Sequence, residues 1–225
     1  MHLLITAATP FEIQPLQTYL ETEFEKISEF YFTKNEVEIQ LLITGVGMTY
    51  TAFSLGHVLA KNKYHLAINA GIAGAFNRSL RIGDVVQVVS EQFGDLGVEE
   101  KDGRFTDLFE MGLLPNDHPP FSNGRLLNEG TDQFSFLPAC HGLTVNKVHG
   151  AATTIDAIQE KYGADVETME GAAFFLACLI AEVPFLQIRS ISNYVEPRNR
   201  EGWDLPKAIT NLNKVLIEIV EVLGS

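Results

Sequence analysis

The sequence predicts an α/β fold in which a mostly parallel sheet is covered on both faces by helices, as in a three-layer α/β/α sandwich. Short apolar runs alternate along the chain with segments of helical periodicity, and small-residue turns rich in glycine follow two of these runs. The chain has 225 residues, of which 46% are hydrophobic. We therefore expect one domain over residues 1–225, with ligands bound at the carboxyl ends of the strands.

In the first half of the chain, apolar runs and turn residues define the elements. Residues 2–8 are an uninterrupted apolar run that ends at Thr9-Pro10, which is typical of a buried strand leading into a helix. Two alternating segments separated by Lys34-Asn35 predict a hairpin. The remaining predictions are strands at 27–33 and 36–43, a helix from the glycine turn at 45–47 to about 61, a strand at 65–70 ending in a second turn at 71–74, and a strand at 84–90.

The second half begins with a long segment that has little periodicity. Residues 94–140 are rich in Gly, Pro, Asn and Asp, so we expect a functional or interface loop there. The helix that starts near Glu170 is apolar all round, which predicts a buried position. Strands are predicted at 142–148, 164–168 and 184–191, a helix at 153–162, and an amphipathic helix from Leu205 to Leu223.

Charge and cysteine content exclude several classes of protein. A formal charge of -13, without a run of Lys or Arg, argues against nucleic acid as a partner. Cys140 and Cys178 are too few for a disulfide framework, which favours a reducing cytoplasm. The chain starts with an apolar strand and not with a basic segment, and no run approaches the ~18 apolar residues that cross a bilayer. We therefore expect a cytoplasmic protein without a membrane partner.

The usual catalytic signatures are missing. The sequence contains no GxxxxGK[ST], GxSxG, HExxH or CxxC, and its six His lack i, i+4 pairing. These absences argue against a phosphate-binding loop, a serine hydrolase and a zinc site. The turn at 45–47 lacks the third glycine of a dinucleotide-binding turn. We expect no metal and no cofactor.

Small residues and a few polar groups remain at the predicted strand ends. The small residues at 71–74 leave backbone N–H and C=O groups open to a ligand, although tight packing explains them equally well. Glu12 and Glu170 fall in or next to the first turn of predicted helices, where the helix dipole alone would favour an acid. Asn193 follows the last strand and is also an ordinary turn residue.

Together, these segments resemble the superfamily of nucleoside phosphorylases and methylthioadenosine/adenosylhomocysteine nucleosidases. The resemblance spans almost the whole chain and implies a mixed, mostly parallel central sheet. It rests on T-x-F-E ending at Glu12, TGVGMT at 44–49, NAGIAGAF at 69–76, LRIGDVV at 80–86, ETMEGAA at 167–173 and IRSISN at 188–193.

Within that superfamily, FGDLGVEE at 93–100 and SISNYVEPRNREGWDLPKAI at 190–209 resemble the futalosine hydrolases of the alternative menaquinone pathway. These enzymes remove hypoxanthine from futalosine and leave dehypoxanthine futalosine. The resemblance implies a small nucleoside substrate. It also implies a homodimer or larger homo-oligomer, to which residues 94–140 are expected to contribute.

The resemblance also assigns roles around the sugar. It makes Glu12 the base that activates a water molecule, and Glu170 the acceptor of the two ribose hydroxyls. Thr168 and Met169 belong to the same ribose-binding segment. Val46 is expected near the 5′ side of the substrate.

At the purine, the resemblance places Ala73 and Gly74 along the base and ribose, and Asn193 at the purine edge. Trp203 corresponds to an aromatic residue over the 5′ substituent. Futalosine carries a carboxyphenyl ketone on that side, and Arg198 or Arg200 is expected to pair with its carboxylate. Arg189 is expected to support the site without touching the substrate.

One departure from the superfamily pattern concerns the purine. Members that act on 6-aminopurines carry Asp where this sequence has Asn193. A 6-oxopurine presents two acceptors, N7 and O6, and the amide NH₂ offers two donors. Adenine would leave polar groups mispaired, so the sequence predicts hypoxanthine as the leaving base.

Three other functions stay open at this point. One is a methylthioadenosine or adenosylhomocysteine nucleosidase with an unusual Asn, and another is an inosine-type phosphorylase. Residues 9–16 and 44–50 contain no Arg or Lys to bind phosphate, but Arg78 and Arg81 follow the turn at 71–74. The third is a purine-nucleoside binding protein without catalytic activity.

Overall fold

Thirteen strands and five helices make up the part of the chain that the computed structural model describes, residues 1–129 and 136–224. The strands are β1 (His2–Ala7), β2 (Glu25–Ser28), β3 (Tyr31–Lys34), β4 (Val37–Ile43), β5 (Leu66–Ala75), β6 (Val85–Phe93), β7 (Gly97–Glu99), β8 (Phe105–Asp107), β9 (Phe121–Ser122), β10 (Arg125–Leu127), β11 (Ala139–Thr144), β12 (Val166–Thr168) and β13 (Phe185–Tyr194). The helices are α1 (Pro10–Glu23), α2 (Met48–Leu59), α3 (Ala152–Tyr162), α4 (Gly171–Ala181) and α5 (Leu205–Leu223).

Eleven strands form one mixed sheet, in the order β2-β3-β4-β1-β5-β12-β11-β6-β10-β9, with β13 pairing with both β5 and β6. The longest ladders, β5 with β13, β1 with β4 and β6 with β11, are parallel. β13 joins β5 to β6 on one side, while β12 and β11 join them on the other. These five strands therefore close into a ring, and the predicted α/β fold class is confirmed.

Helices cover both faces of the sheet, and each face has its own core. Leu3 and Ile5 of β1 pack in one cluster with Leu16 of α1 and Leu216 of α5. Leu4, between them, points to the other face, in the cluster that holds apolar side chains of α2 and α4. This alternation is the period of two expected for a strand that is buried on both sides.

Four predicted elements differ from the structure. The strand predicted at 142–148 is β11, which instead runs from Ala139 to Thr144. The predicted strand at 27–33 is interrupted after Ser28, so β2 and β3 are separate. The residues at 71–74 do not turn: they continue β5, because their small side chains let β12 and β13 pair closely on either side. Finally, 94–140 contains short strands (β7 to β10) and the start of β11. No helix within residues 1–129 and 136–224 is long and apolar enough to cross a membrane.

Candidate active site

Glu12 is fixed at the start of α1 from two directions. Its Oε2 accepts hydrogen bonds from the backbone N–H of Thr9 at 3.0 Å and from the Thr9 hydroxyl at 3.1 Å, as the glutamate of a capping box does. Its Oε1 accepts from the backbone N–H of Ile72 in β5 at 3.2 Å. With 7% of its surface exposed, the Glu12 carboxylate has one orientation, directed at the middle of the sheet.

Arg189 on β13 brings a positive charge beside Glu12. It pairs in register with Gly71, and a Cβ at Gly71 would lie 2.0 Å from Arg189 Nη1 and 2.8 Å from Glu12 Oε1. Glycine is therefore required at 71, because any side chain would separate the two groups. The Arg189 side chain is 1% exposed, and its Nε and Nη2 have no hydrogen-bond partner among the described residues.

Glu170 is the second carboxylate at this place. It precedes the first residue of α4, and its Oε1 accepts from the backbone N–H of Gly47 at 2.9 Å. Gly45 and Gly47 have φ of 88° and 94°, so only glycine suits this turn. Burial raises the pKa of Glu170, while Arg189 and the Gly47 N–H act in the opposite direction. Glu12, Glu170 and Arg189 are called the carboxylate–arginine cluster below.

A third carboxylate lies beneath the cluster. Glu91 on β6 is fully buried, and it accepts hydrogen bonds from Gln187 Nε2 at 2.6 Å and from the Thr144 hydroxyl at 2.8 Å. Burial raises its pKa to about 7, against the lowering effects of these bonds and of Arg189. The Thr144 hydroxyl also accepts from the backbone N–H of Ala172 at 2.7 Å. The network therefore ties the first turn of α4, next to Glu170, to the sheet.

Asn193 lies within β13, where a register shift interrupts the ladder with β5. Its Nδ2 donates to the Tyr194 carbonyl at 2.9 Å, and its Oδ1 accepts from the Ser192 hydroxyl at 2.8 Å. Because a carbonyl only accepts, the amide NH₂ must face Tyr194, which fixes the orientation of the side chain. One of the two predicted N–H donors is thus already used, and one remains for a ligand.

A pocket opens next to Asn193 across three neighbouring strands. Gly74 of β5 is paired in register with Asn193 of β13 on one side and with Glu167 of β12 on the other. Glu167 in turn binds His149, which also lines the pocket. This space is called the Asn193 pocket, and its lining residues include Gly74, His149, Glu167, Asn193, Arg198 and Trp203.

The predicted site residues fall into two neighbouring groups. Glu12 and Glu170 lie in the carboxylate–arginine cluster, whereas Gly74, Asn193 and Trp203 line the Asn193 pocket. The two groups share β5 and β13. Among the described residues, four other predicted site residues belong to neither group: Val46, Ala73, Thr168 and Met169.

These four residues have different surroundings. Val46 is 51% exposed in the glycine turn, and Met169 is half-buried beside Glu170. Ala73 is buried, with its carbonyl accepting from the Ser192 hydroxyl at 3.2 Å. The Thr168 hydroxyl accepts from the backbone N–H of Gly171 at 3.3 Å. Thr168 therefore supports the start of α4.

His149, Glu167 and Glu91 were not among the predicted site residues. His149 and Glu167 are 18 positions apart, and only the register of β12 with β5 brings them to the pocket. A signal was present nevertheless. Glu167 falls in the predicted strand at 164–168 and Glu91 directly follows the predicted strand at 84–90, and an acid that is buried in a sheet requires a partner.

Known proteins of one superfamily are similar to this chain over almost its whole length. The family model described as "Phosphorylase superfamily" matches residues 2–221. A futalosine hydrolase from Streptomyces coelicolor is 30% identical over 100% of this chain and 97% of its own length. A 5′-methylthioadenosine/S-adenosylhomocysteine nucleosidase from Bacillus thuringiensis is 26% identical over 99% of this chain and 100% of its own. The solved structure of a futalosine hydrolase from Helicobacter pylori superposes with a TM-score of 0.78 at 18% identity, covering 98% of this chain and 97% of the other.

Proposed function

Because the chain belongs to the phosphorylase superfamily, we propose that it hydrolyses the N-glycosidic bond of futalosine, in the alternative menaquinone pathway, to hypoxanthine and dehypoxanthine futalosine. The full-length similarity to futalosine hydrolase supports the reaction. The observation that carries the choice of substrate is the amide at Asn193, which Ser192 and Tyr194 hold so that one N–H remains available for a ligand.

The carboxylate–arginine cluster carries the chemistry in this proposal. Glu12 accepts a proton from a water molecule whose oxygen attacks C1′ of the ribose. The C1′–N9 bond breaks, its electron pair leaves with the purine, and the ribose passes through an oxocarbenium-like state. Arg189 is buried beside the two carboxylates and its positive charge counteracts the rise in the pKa of Glu170 that burial causes, so it supports the site without touching the substrate. Glu170, fixed by the Gly47 N–H, receives the ribose hydroxyls by charge-assisted hydrogen bonds.

The residues around the sugar have lesser roles in the proposal. Met169 packs on the ribose next to Glu170, and Val46 contacts the 5′ side from the glycine turn. Ala73 and Gly74 lie along the base and ribose. We assign Thr168 a positioning role, because its hydroxyl is bonded to the first residue of α4.

The far end of the Asn193 pocket suits the 5′ substituent of futalosine, a carboxyphenyl ketone. Trp203 offers an aromatic surface there, and the Arg198 guanidinium lies 5.7 Å from the centre of its ring. Both residues line the pocket. Arg200 is not among the pocket residues, so we assign the carboxylate to Arg198.

Water is the nucleophile in this proposal. Of the two cations close to the end of β5, Arg78 pairs with Glu196 at 3.0 Å and lies over the Tyr194 ring, and Arg81 pairs with Asp84 at 3.3 Å. Both are engaged in these pairs, which disfavours a phosphate-binding role for them.

We also propose a homo-oligomer, a dimer or larger, in the cytoplasm. Large apolar side chains are exposed next to the site, with Phe53 at 76%, Tyr50 at 66% and Phe11 at 56%. Such a group of apolar side chains is typical of a surface that a partner covers. The free, buried thiols of Cys140 and Cys178 agree with a reducing compartment.

The test is to incubate the purified protein with futalosine, inosine and methylthioadenosine, each with and without phosphate, and to identify the released bases by chromatography. The expected result is hypoxanthine from futalosine at a rate independent of phosphate. Adenine from methylthioadenosine as the main product would instead indicate the nucleosidase named among the relatives. Strict dependence on phosphate would indicate a phosphorylase.

A further inference from the structure

One coupled pair of side chains in the Asn193 pocket has no role in the reaction as described so far. Glu167 and His149 are both largely buried, with side-chain exposures of 3% and 10%. His149 Nδ1 lies 2.5 Å from Glu167 Oε1, and the backbone N–H of His149 donates to Glu167 Oε2 at 3.1 Å. The carboxylate therefore holds the residue by both its ring and its backbone.

This contact fixes which ring nitrogen carries the proton. A carboxylate only accepts, so the proton of the neutral imidazole resides on Nδ1 and Nε2 keeps a lone pair. Nε2 has no hydrogen-bond partner within residues 1–129 and 136–224, and neighbouring protein atoms do not bury it completely. Since His149 lines the pocket, Nε2 is an open acceptor there.

Asn193 alone provides too few contacts for a purine edge. Its amide retains one free N–H after bonding to Tyr194, whereas the edge of hypoxanthine presents N7, O6 and the N1–H donor. Gly74 separates Asn193 from Glu167 within one row of the sheet, and all three residues line the Asn193 pocket together with His149. A base in this pocket would have Asn193 on one side and His149 on the other.

We propose that His149, held by Glu167, determines specificity by accepting the N1–H of hypoxanthine at Nε2. The inference rests on the proposed function and extends it. Adenine carries a lone pair at N1, so its N1 would face the lone pair of His149 Nε2, and two acceptors would meet. A mispaired buried polar group lowers affinity about 10- to 100-fold. The His149–Glu167 pair would therefore favour hypoxanthine over adenine by this factor, in addition to the discrimination by Asn193.

The test measures binding of free hypoxanthine and free adenine by calorimetry, which does not require turnover. The wild type should prefer hypoxanthine, and His149→Ala should reduce that preference about 10- to 100-fold. His57→Ala, an exposed histidine on α2, is the matched control and should bind both bases as the wild type does. An unchanged preference in His149→Ala would overturn the proposal.

Glu167→Gln separates this role from a structural one. The glutamine amide can turn its NH₂ towards Nδ1, which allows the proton to reside on Nε2 and to pair with N1 of adenine. We therefore expect this variant to bind adenine more tightly than the wild type does. An equal loss of affinity for both bases would show that the His149–Glu167 pair only maintains the fold. The proposal would also be overturned if the variant bound both bases with the affinities of the wild type.

A wild-type measurement decides the matter if His149→Ala does not fold. 1-Methylhypoxanthine lacks the N1–H, so it should bind about 10- to 100-fold more weakly than hypoxanthine. Equal affinities would contradict the proposal. The proposed function fails separately, if the wild type releases no hypoxanthine from futalosine, whatever the affinities for the free bases.

Discussion

The carboxylate–arginine cluster and the Asn193 pocket share two strands but are built differently. In the cluster, the side chains of Glu12, Glu170 and Arg189 are ionisable and nearly inaccessible, and backbone N–H groups hold both carboxyl groups. In the pocket, Asn193 presents a neutral amide whose orientation neighbouring groups fix. The difference suggests a division of labour, in which the cluster sets the rate and the pocket selects the purine.

Removing the charge of Glu12 should have the largest effect. Glu12→Gln keeps the shape of the side chain but has an acceptor for only one of Thr9 and Ile72. It cannot take a proton from water, so we expect kcat for futalosine to fall about 10²- to 10⁴-fold. Binding of a hypoxanthine nucleoside should remain measurable by calorimetry. Glu23→Gln on the exposed end of the same helix is the control. A Glu12→Gln variant with near wild-type turnover would remove Glu12 from the role of base.

The buried Glu91 beneath the cluster should make the stability of the fold depend on pH. Burial raises the pKa of Glu91 from its ordinary value of 4.5 to about 7. Between those two pH values the unfolded chain ionises Glu91 while the folded chain keeps the proton, so rising pH lowers the free energy of unfolding. The loss is about 1.4 kcal/mol per pH unit, or about 3 kcal/mol in all.

Glu91→Gln should abolish that loss. From pH 4.5 to 7, the free energy of unfolding of the variant, measured with urea, should rise relative to that of the wild type. Above pH 7, the difference between the two should stay constant. Glu218→Gln, at an exposed position of α5, should follow the wild type throughout. A difference between Glu91→Gln and wild type that does not change with pH would contradict the raised pKa.

Changing Asn193 should alter the choice of purine with less effect on the chemistry. In Asn193→Asp, a protonated carboxyl can donate to N7 while its other oxygen accepts from the amino group of adenine. We expect the ratio of kcat/KM for futalosine over its 6-amino analogue to fall about 10- to 100-fold. If both substrates lose activity in the same proportion, Asn193 does not select the base.

The smallest effect is expected at the outer end of the pocket. Arg198→Ala should raise KM for futalosine about 10-fold through loss of a charged hydrogen bond, and it should leave KM for inosine unchanged. Arg200→Ala, two residues away and outside the pocket, should change neither value. An effect of Arg200→Ala alone would move the carboxylate contact to that residue.

The sequence predicted the cluster better than the pocket. Glu12 and Glu170 stand next to helix starts and glycine turns, so local signals locate them. His149 and Glu167 meet only because β12 pairs antiparallel with β5, and nothing in their spacing shows this. The same pairing makes 71–74 part of a strand, where glycines in sequence favoured a turn. Residues located by local signals were therefore predicted, and residues brought together only by the pairing of distant strands were not.

The central claim is that two held carboxylates cleave the glycosidic bond while the Asn193 pocket admits hypoxanthine and rejects adenine. It is tested most directly by the kcat/KM ratio of the wild type for futalosine over the 6-amino analogue of futalosine, measured without phosphate. The ratio should be at least about 100, since more than one polar group would be mispaired by adenine. A ratio near one, or a preference for the 6-amino analogue, would contradict the claim.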